Sequence, residues 1–212
     1  MLVKICGIKT EEAAQTAVNA GADFIGFVFA PSKREITAED AATIAQSIPP
    51  SVKKVGVFVN ETIETMTEIA TLVGLDFIQL HGDETPELAE QLPFKIIKAF
   101  PAEPEHFSAM HTYPSDFYLL DSPFGKNRGG NGTVFDWDVT RNLSIDRAKI
   151  MLAGGLTPEN IQQARKQVNP GCVDVSSGVE TNGEKDPKKI MNFIRLAKST
   201  RKDESIDNIH NA

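Results

Sequence analysis

Residues 150–178 read IMLAGGLTPENIQQARKQVNPGCVDVSSG, and this stretch decides the fold. Ile150–Ala153 and Cys172–Val175 are short apolar runs, and between them Ile161, Ala164 and Val168 recur at helical spacing. Short apolar runs bounded by turn residues are strands, whereas a period of three to four residues is one face of a helix. A helix between two strands returns the chain to the same end of the sheet, so the strands pair in parallel. Thr157-Pro158-Glu159 marks an expected helix start. Its threonine is placed to satisfy an orphan backbone N–H, and proline is tolerated at the first helical position.

The same unit recurs outward from this stretch. Six further strands are expected at Leu2–Cys6, Asp23–Phe29, Lys53–Val59, Asp76–Leu80, Lys95–Phe100 and Phe117–Asp121. Ile63, Met66, Ala70 and Val73 form one helical stripe; Ile190, Phe193, Ile194 and Ala197 form another. Thr85-Pro86 and Asp186-Pro187 are caps of the same kind, and Asn60 and Thr37 read as further caps. Eight strand–helix units without G-x-G-x-x-G after the first strand give an α/β fold, a single (β/α)₈ TIM barrel; an open doubly wound sheet is the alternative. Residues 1–200 read as one catalytic domain, because no Pro/Gly/Ser linker divides them, and 201–212 as a polar, frayed tail.

Composition narrows the function. The chain has 212 residues and a net charge of −7, which argues against nucleic-acid binding. No apolar run reaches the roughly 20 residues that span a membrane. The Met1–Cys6 start enters a strand without the pattern of a secretory signal, so a cytoplasmic location is expected. The two cysteines, Cys6 and Cys172, fall at opposite ends of neighbouring strands, too far apart for a disulfide and too few for zinc. No second histidine stands at ligand spacing from His81, so no metal is indicated, and a monomer is the favoured state.

In a barrel the strand-to-helix loops carry the active site. Gly154-Gly155 follows strand seven and Ser176-Ser177-Gly178 follows strand eight, where barrels grip phosphate with backbone N–H groups; two ordinary turns are the alternative. Cys6 ends strand one on the face of Lys4, whose ammonium would favour a thiolate, although a buried cysteine is also an ordinary small hydrophobe. Asp121 ends apolar strand six, where a carboxyl is costly unless paired or used. Asp174 shares a face with Ser176 and reads as a sugar-hydroxyl acceptor or a satisfied interior group. His81 follows strand four, a position structural as readily as functional, and Arg34 lies in a loop from which its guanidinium could hold a carboxylate. The long loop Ser122–Phe135, with Gly125, Gly129, Gly130 and Gly132, reads as a lid or as a solvated connection.

Together these stretches resemble the phosphoribosylanthranilate isomerase family. The match runs through Val3–Ile8, Gly26–Phe29, Gln79–Gly82, Leu120-Asp121, Gly129-Gly130 with Gly132 and Phe135-Asp136-Trp137, Leu152–Leu156 and Val173–Glu180, in family order. The resemblance implies that Cys6 is the general base and Asp121 the general acid. It makes Arg34 the anchor of the anthranilate carboxylate, the Gly154-Gly155 and Ser176–Gly178 loops the phosphate grip, Asp174 a sugar contact and His81 a pocket residue. Lys33 stands where the family usually has proline, which leaves the Arg34 loop less constrained.

The implied reaction is an Amadori rearrangement of N-(5-phosphoribosyl)anthranilate, a small phosphorylated substrate, in tryptophan biosynthesis. The aromatic amine serves as electron sink, so no cofactor is required. An aldolase using Lys4 or Lys98 as a Schiff base is the nearest rival, and a non-catalytic sensor of phosphorylated ligands the second.

Overall fold

Eight parallel strands close on themselves in sequence order: β1 (Leu2–Cys6), β2 (Phe24–Val28), β3 (Lys53–Phe58), β4 (Phe77–Leu80), β5 (Lys95–Pro101), β6 (Phe117–Asp121), β7 (Ile150–Leu152) and β8 (Cys172–Val175). This computed structural model describes residues 1–123, 134–141 and 143–199. The ring is sealed where β1 pairs with both neighbours, Lys4 standing opposite Phe24 on β2 and Asp174 on β8. The expected glycine-rich lid, Gly125 to Gly132, and the tail 201–212 lie outside the described residues.

Alternation along each strand divides two cores. Phe24, Val55, Phe77, Ile97, Leu119, Met151 and Cys172 fill the barrel interior. At its amino end Phe24, Phe77 and Phe117 meet edge-on or tilted, with ring centroids 5.6 to 6.1 Å apart, and plug the barrel. The opposite strand faces, such as Val3, Ile5, Ile25 and Ile78, pack under the helices. Those helices are α1 (Glu11–Ala20), α2 (Ala38–Ala45), α3 (Ile63–Val73), α4 (Pro86–Gln91), α5 (Phe107–Met110), α6 (Ile161–Val168) and α7 (Pro187–Lys198). None is long and apolar enough to cross a membrane.

Several local expectations need correction. Between β6 and β7 the described residues hold only the 3₁₀ turns Trp137–Thr140 and Arg147–Lys149, with no α-helix among them. Asn60 caps nothing: Thr62 accepts from Thr65 at the start of α3, while Asn60 has φ 53° and accepts from the Asp83 N–H. Thr157 opens a turn in which its hydroxyl accepts from Glu159, and α6 begins only at Ile161. Thr37, Thr85 and Asp186 cap as expected.

After β8 the chain makes a small hairpin, β9 (Glu180–Thr181) with β10 (Glu184–Lys185). Asn182 and Gly183 turn it with φ of 55° and 86°, the paired positive values of a tight hairpin. The turn folds Lys185 back over Glu180 and the start of the β8 loop.

Candidate active site

The barrel's carboxyl end gathers Cys6, Arg34, His81, Asp121 and Asp174, the candidate site side chains that the sequence singled out. Cys6, Arg34, His81, Asp121 and Asp174 are each 7–9% exposed, whereas Lys4 directly beneath them is 0%. They therefore form the floor and wall of a site at the boundary between core and solvent.

On one side stands Cys6. Gly26 is its register partner on β2, and a side chain there would collide with the thiol and the Lys4 stem. Lys4 Nζ lies 3.1 Å from Asp174 Oδ1. Burial pushes the Cys6 thiol up from its ordinary pKa, and the Lys4 ammonium pulls it only partly back. Lys4 favours the thiolate as expected, but desolvation outweighs the ammonium. Burial alone would also lower the Lys4 pKa, but Asp174 and Cys6 together hold it above the ordinary lysine range.

The backbone places the next residues. Gly7 has φ 73°, and the Arg34 stem packs where a Cβ would project. Arg34 donates from Nε and Nη2 to the two Glu180 oxygens at 2.6 and 3.0 Å. Glu180 also accepts from Lys185 at 2.8 Å, and Lys185 reaches the Ser176 carbonyl at 2.9 Å. The Ser176 hydroxyl donates to the Cys6 carbonyl at 3.1 Å. The Ser32 hydroxyl accepts from the Arg34 N–H at 3.1 Å and restrains the loop locally.

On the other side stand Asp121 and His81. Asp121 Oδ1 accepts from the Ser122 N–H at 2.8 Å, and Oδ2 lies 3.5 Å from His81 Nε2. Gly154 and Gly155 both have positive φ, 78° and 63°, and Gly154 packs against Ser122. The loops after β7 and β8 touch, because Gly178 sits where any Cβ would run into the Leu156 carbonyl. A continuous arc therefore runs from Cys6 through Ser176 and Gly178 to Gly154 and Asp121.

The sequence singled out Glu180 only within a motif and gave Gln79 and Lys185 no role. The Asn-Gly turn was the available signal for Lys185. Of the two candidate Schiff-base lysines, Lys98 lies on the strand face away from the interior, bonded to Glu84 at 2.8 Å and the Gly82 carbonyl at 2.6 Å. Lys4 is held as an ammonium, so neither is a poised amine nucleophile. A cavity of about 780 Å³ opens at the barrel's other end, lined by Met1, Arg147, Arg165, Lys166 and Asn169 among others; its lining offers no thiol, carboxyl or imidazole.

A closed (β/α)₈ barrel with a thiol and a carboxyl on separate strand ends, flanking paired glycine and serine loops, defines an enzyme of the TIM-barrel class. The family model for N-(5'phosphoribosyl)anthranilate (PRA) isomerase matches residues 3–196, and the chain belongs to that family. It is 50% identical over 195 residues to the N-(5'-phosphoribosyl)anthranilate isomerase of Oceanobacillus iheyensis, covering 92% of this chain and 95% of that one. The crystal structure of phosphoribosyl anthranilate isomerase from Thermotoga maritima matches with a TM-score of 0.85 and 42% identity, covering 93% and 99% of the two chains. A further isomerase structure, in complex with reduced 1-(o-carboxyphenylamino)-1-deoxyribulose 5-phosphate, matches at 0.82 and 41% identity over 93% and 98%.

Proposed function

We propose that this chain isomerises N-(5-phosphoribosyl)anthranilate to 1-(2-carboxyphenylamino)-1-deoxyribulose 5-phosphate, the Amadori step of tryptophan biosynthesis, in the cytoplasm. The carrying observation is the arc that joins a buried thiol and a buried carboxyl across two glycine-bearing loops. The related structure with the reduced product bound supports the substrate class.

Asp121 is the general acid. Its Oδ1 is engaged by Ser122, which leaves Oδ2 to carry the proton toward the ribose ring oxygen. Protonation breaks the C1–O bond and leaves an iminium. The Cys6 thiolate takes the C2 proton, and the C–H electrons form the C1–C2 double bond while the iminium pair returns to nitrogen. Loss of the enol proton and uptake of one at C1 give the ketone. Each group acts because it is held where its proton must move.

Arg34 holds the anthranilate carboxylate. The Glu180 clasp uses the Nε edge and leaves the Nη1–Nη2 edge for a second carboxylate, a two-pronged fit. Asp174 gives Oδ1 to Lys4, so Oδ2 serves a sugar hydroxyl. Gly154, Gly155, Ser176, Ser177 and Gly178 grip the phosphate through N–H groups and hydroxyls.

The test follows the loss of substrate fluorescence with the wild type, Cys6→Ser and Asp121→Asn. Both variants should fold and lose about 10²- to 10⁴-fold in kcat. Near-wild-type turnover by either would remove that residue from its role.

A further inference from the structure

We propose that Gln79 is a positioning residue for this reaction: its amide donates to His81 Nδ1 and so sets the imidazole as the Nε2–H tautomer, with that hydrogen facing Asp121. The proposal rests on the reading of Asp121 as the acid.

Gln79 is 2% exposed on β4, and His81 follows two residues later on the same face. Gln79 Nε2 lies 2.9 Å from His81 Nδ1. An amide nitrogen carries hydrogens and no available lone pair, so it can only donate. Nδ1 must then present its lone pair, and a neutral ring carries its proton on Nε2. That nitrogen is buried without a hydrogen-bond partner among the described residues, 3.5 Å from Asp121 Oδ2.

The backbone beneath the ring is held from both sides. The His81 N–H donates to the Phe58 carbonyl at 2.9 Å. The Gly82 N–H donates to the Glu84 carboxylate, and the Gly82 carbonyl accepts from Lys98 at 2.6 Å. The ring orientation therefore depends on Gln79 rather than on a loose loop. Gln79 Oε1 is itself buried without a hydrogen-bond partner among the described residues, a standing penalty that an aliphatic side chain would remove. Holding the ring accounts for an amide at this depth.

The consequence lies at Asp121. Once Asp121 has given up its proton, an Nε2–H donor faces the new carboxylate and stabilises it. The other tautomer would turn a lone pair toward that charge and oppose the transfer. A partner that fixes the tautomer of a catalytic imidazole acts on rate through the same electrostatics.

The experiment uses the full chain with ring-¹⁵N histidine, at about pH 8 so that an ordinary histidine is neutral. His81→Asn assigns the His81 signals. The wild type should show Nδ1 unprotonated and Nε2 protonated. Gln79→Glu, whose ionised carboxylate can only accept, should reverse the pattern and lower kcat about 10- to 100-fold with little change in KM. Gln79→Met, uncharged and of similar length, should give a tautomer mixture and an intermediate kcat, and it keeps the test open should the buried glutamate unfold the barrel. A wild-type ring protonated on Nδ1 overturns the proposal, as does a reversed tautomer with full kcat. The spectra are read without substrate, so failure of the isomerase reading is seen separately, as a wild type with the Nε2–H ring and no turnover.

Discussion

Inside the barrel the Lys4 ammonium lies 3.1 Å from the Asp174 carboxylate, on two strands that pair in register at those residues. Lys4 is wholly buried, so its charge persists because the Asp174 carboxylate, aided by Cys6, opposes the desolvation. Replacing Lys4 by methionine strands Asp174 without a counter-charge and should destabilise the protein by about 3–5 kcal/mol. The folded lysine titrates above its ordinary value, so the contribution is fully present below about pH 10.4 and is lost only as pH rises past the folded value. Urea melts should therefore show the same deficit at pH 6 and 9, to within about 0.5 kcal/mol. A deficit that vanished by pH 9 would show that the pair does not hold the ammonium charged.

The Arg34–Glu180 clasp titrates with the opposite sign. Burial opposes the Glu180 charge, but hydrogen bonds from Arg34 and Lys185 outweigh it and lower the carboxyl from 4.5 to about 2. A lowered carboxyl stabilises the fold above its unfolded pKa and loses that contribution as pH falls through the folded one. The stability gap between wild type and Glu180→Gln should be level from about pH 5 to 8 and close between about pH 4.5 and 2. The same variant should raise KM by about tenfold with a smaller change in kcat, because Arg34 loses its orientation rather than its charge. An unchanged KM would mean that Arg34 is oriented without Glu180.

The barrel was legible because its signals are local. Short apolar runs between helical stripes placed all eight strands to within a residue or so at each end, and Thr85 and Asp186 announced helix starts through capping chemistry. That the described residues between β6 and β7 hold 3₁₀ turns and no α-helix was not legible, since a strand–helix repeat supplies an expectation for every crossover whether or not a stripe is there. Asn60 misled because asparagine serves a left-handed turn as readily as a cap. Cys6, Asp121 and His81 of the candidate site were legible as strand-end exceptions to an apolar pattern. Long-range partners were not: Glu180 meets Arg34 across 146 residues of chain, and no period or spacing encodes that contact.

Gly154 carries two constraints at once. Its φ is 78°, and a Cβ would meet the Ser122 hydroxyl and amide. The left-handed backbone costs a non-glycine residue roughly 1–2 kcal/mol before any collision. Gly154→Ala should lower stability by at least that much and, by displacing Ser122, disturb the N–H that engages Asp121. The expected kinetic signature is a fall in kcat as well as a rise in KM. A change in KM alone would confine Gly154 to phosphate binding.

The two thiols differ in both reach and charge, which allows Cys6 to be read directly. Cys172 is wholly buried in the barrel interior and its pKa is pushed well up by desolvation, so it should resist iodoacetamide in the folded protein. Cys6 is 7% exposed at the site, with burial raising its pKa and Lys4 opposing that rise. One thiol per chain should therefore be alkylated, at a rate still climbing beyond pH 9 because the folded pKa lies above the ordinary thiol value. Activity should disappear in step with that single modification, and saturating product should protect both. Lys4→Met removes the opposing ammonium, so alkylation at a fixed pH should slow further, provided the variant is tested where it remains folded. Faster alkylation in a folded Lys4→Met protein would mean that access, not charge, limits the thiol, and the electrostatic role assigned to Lys4 would fall.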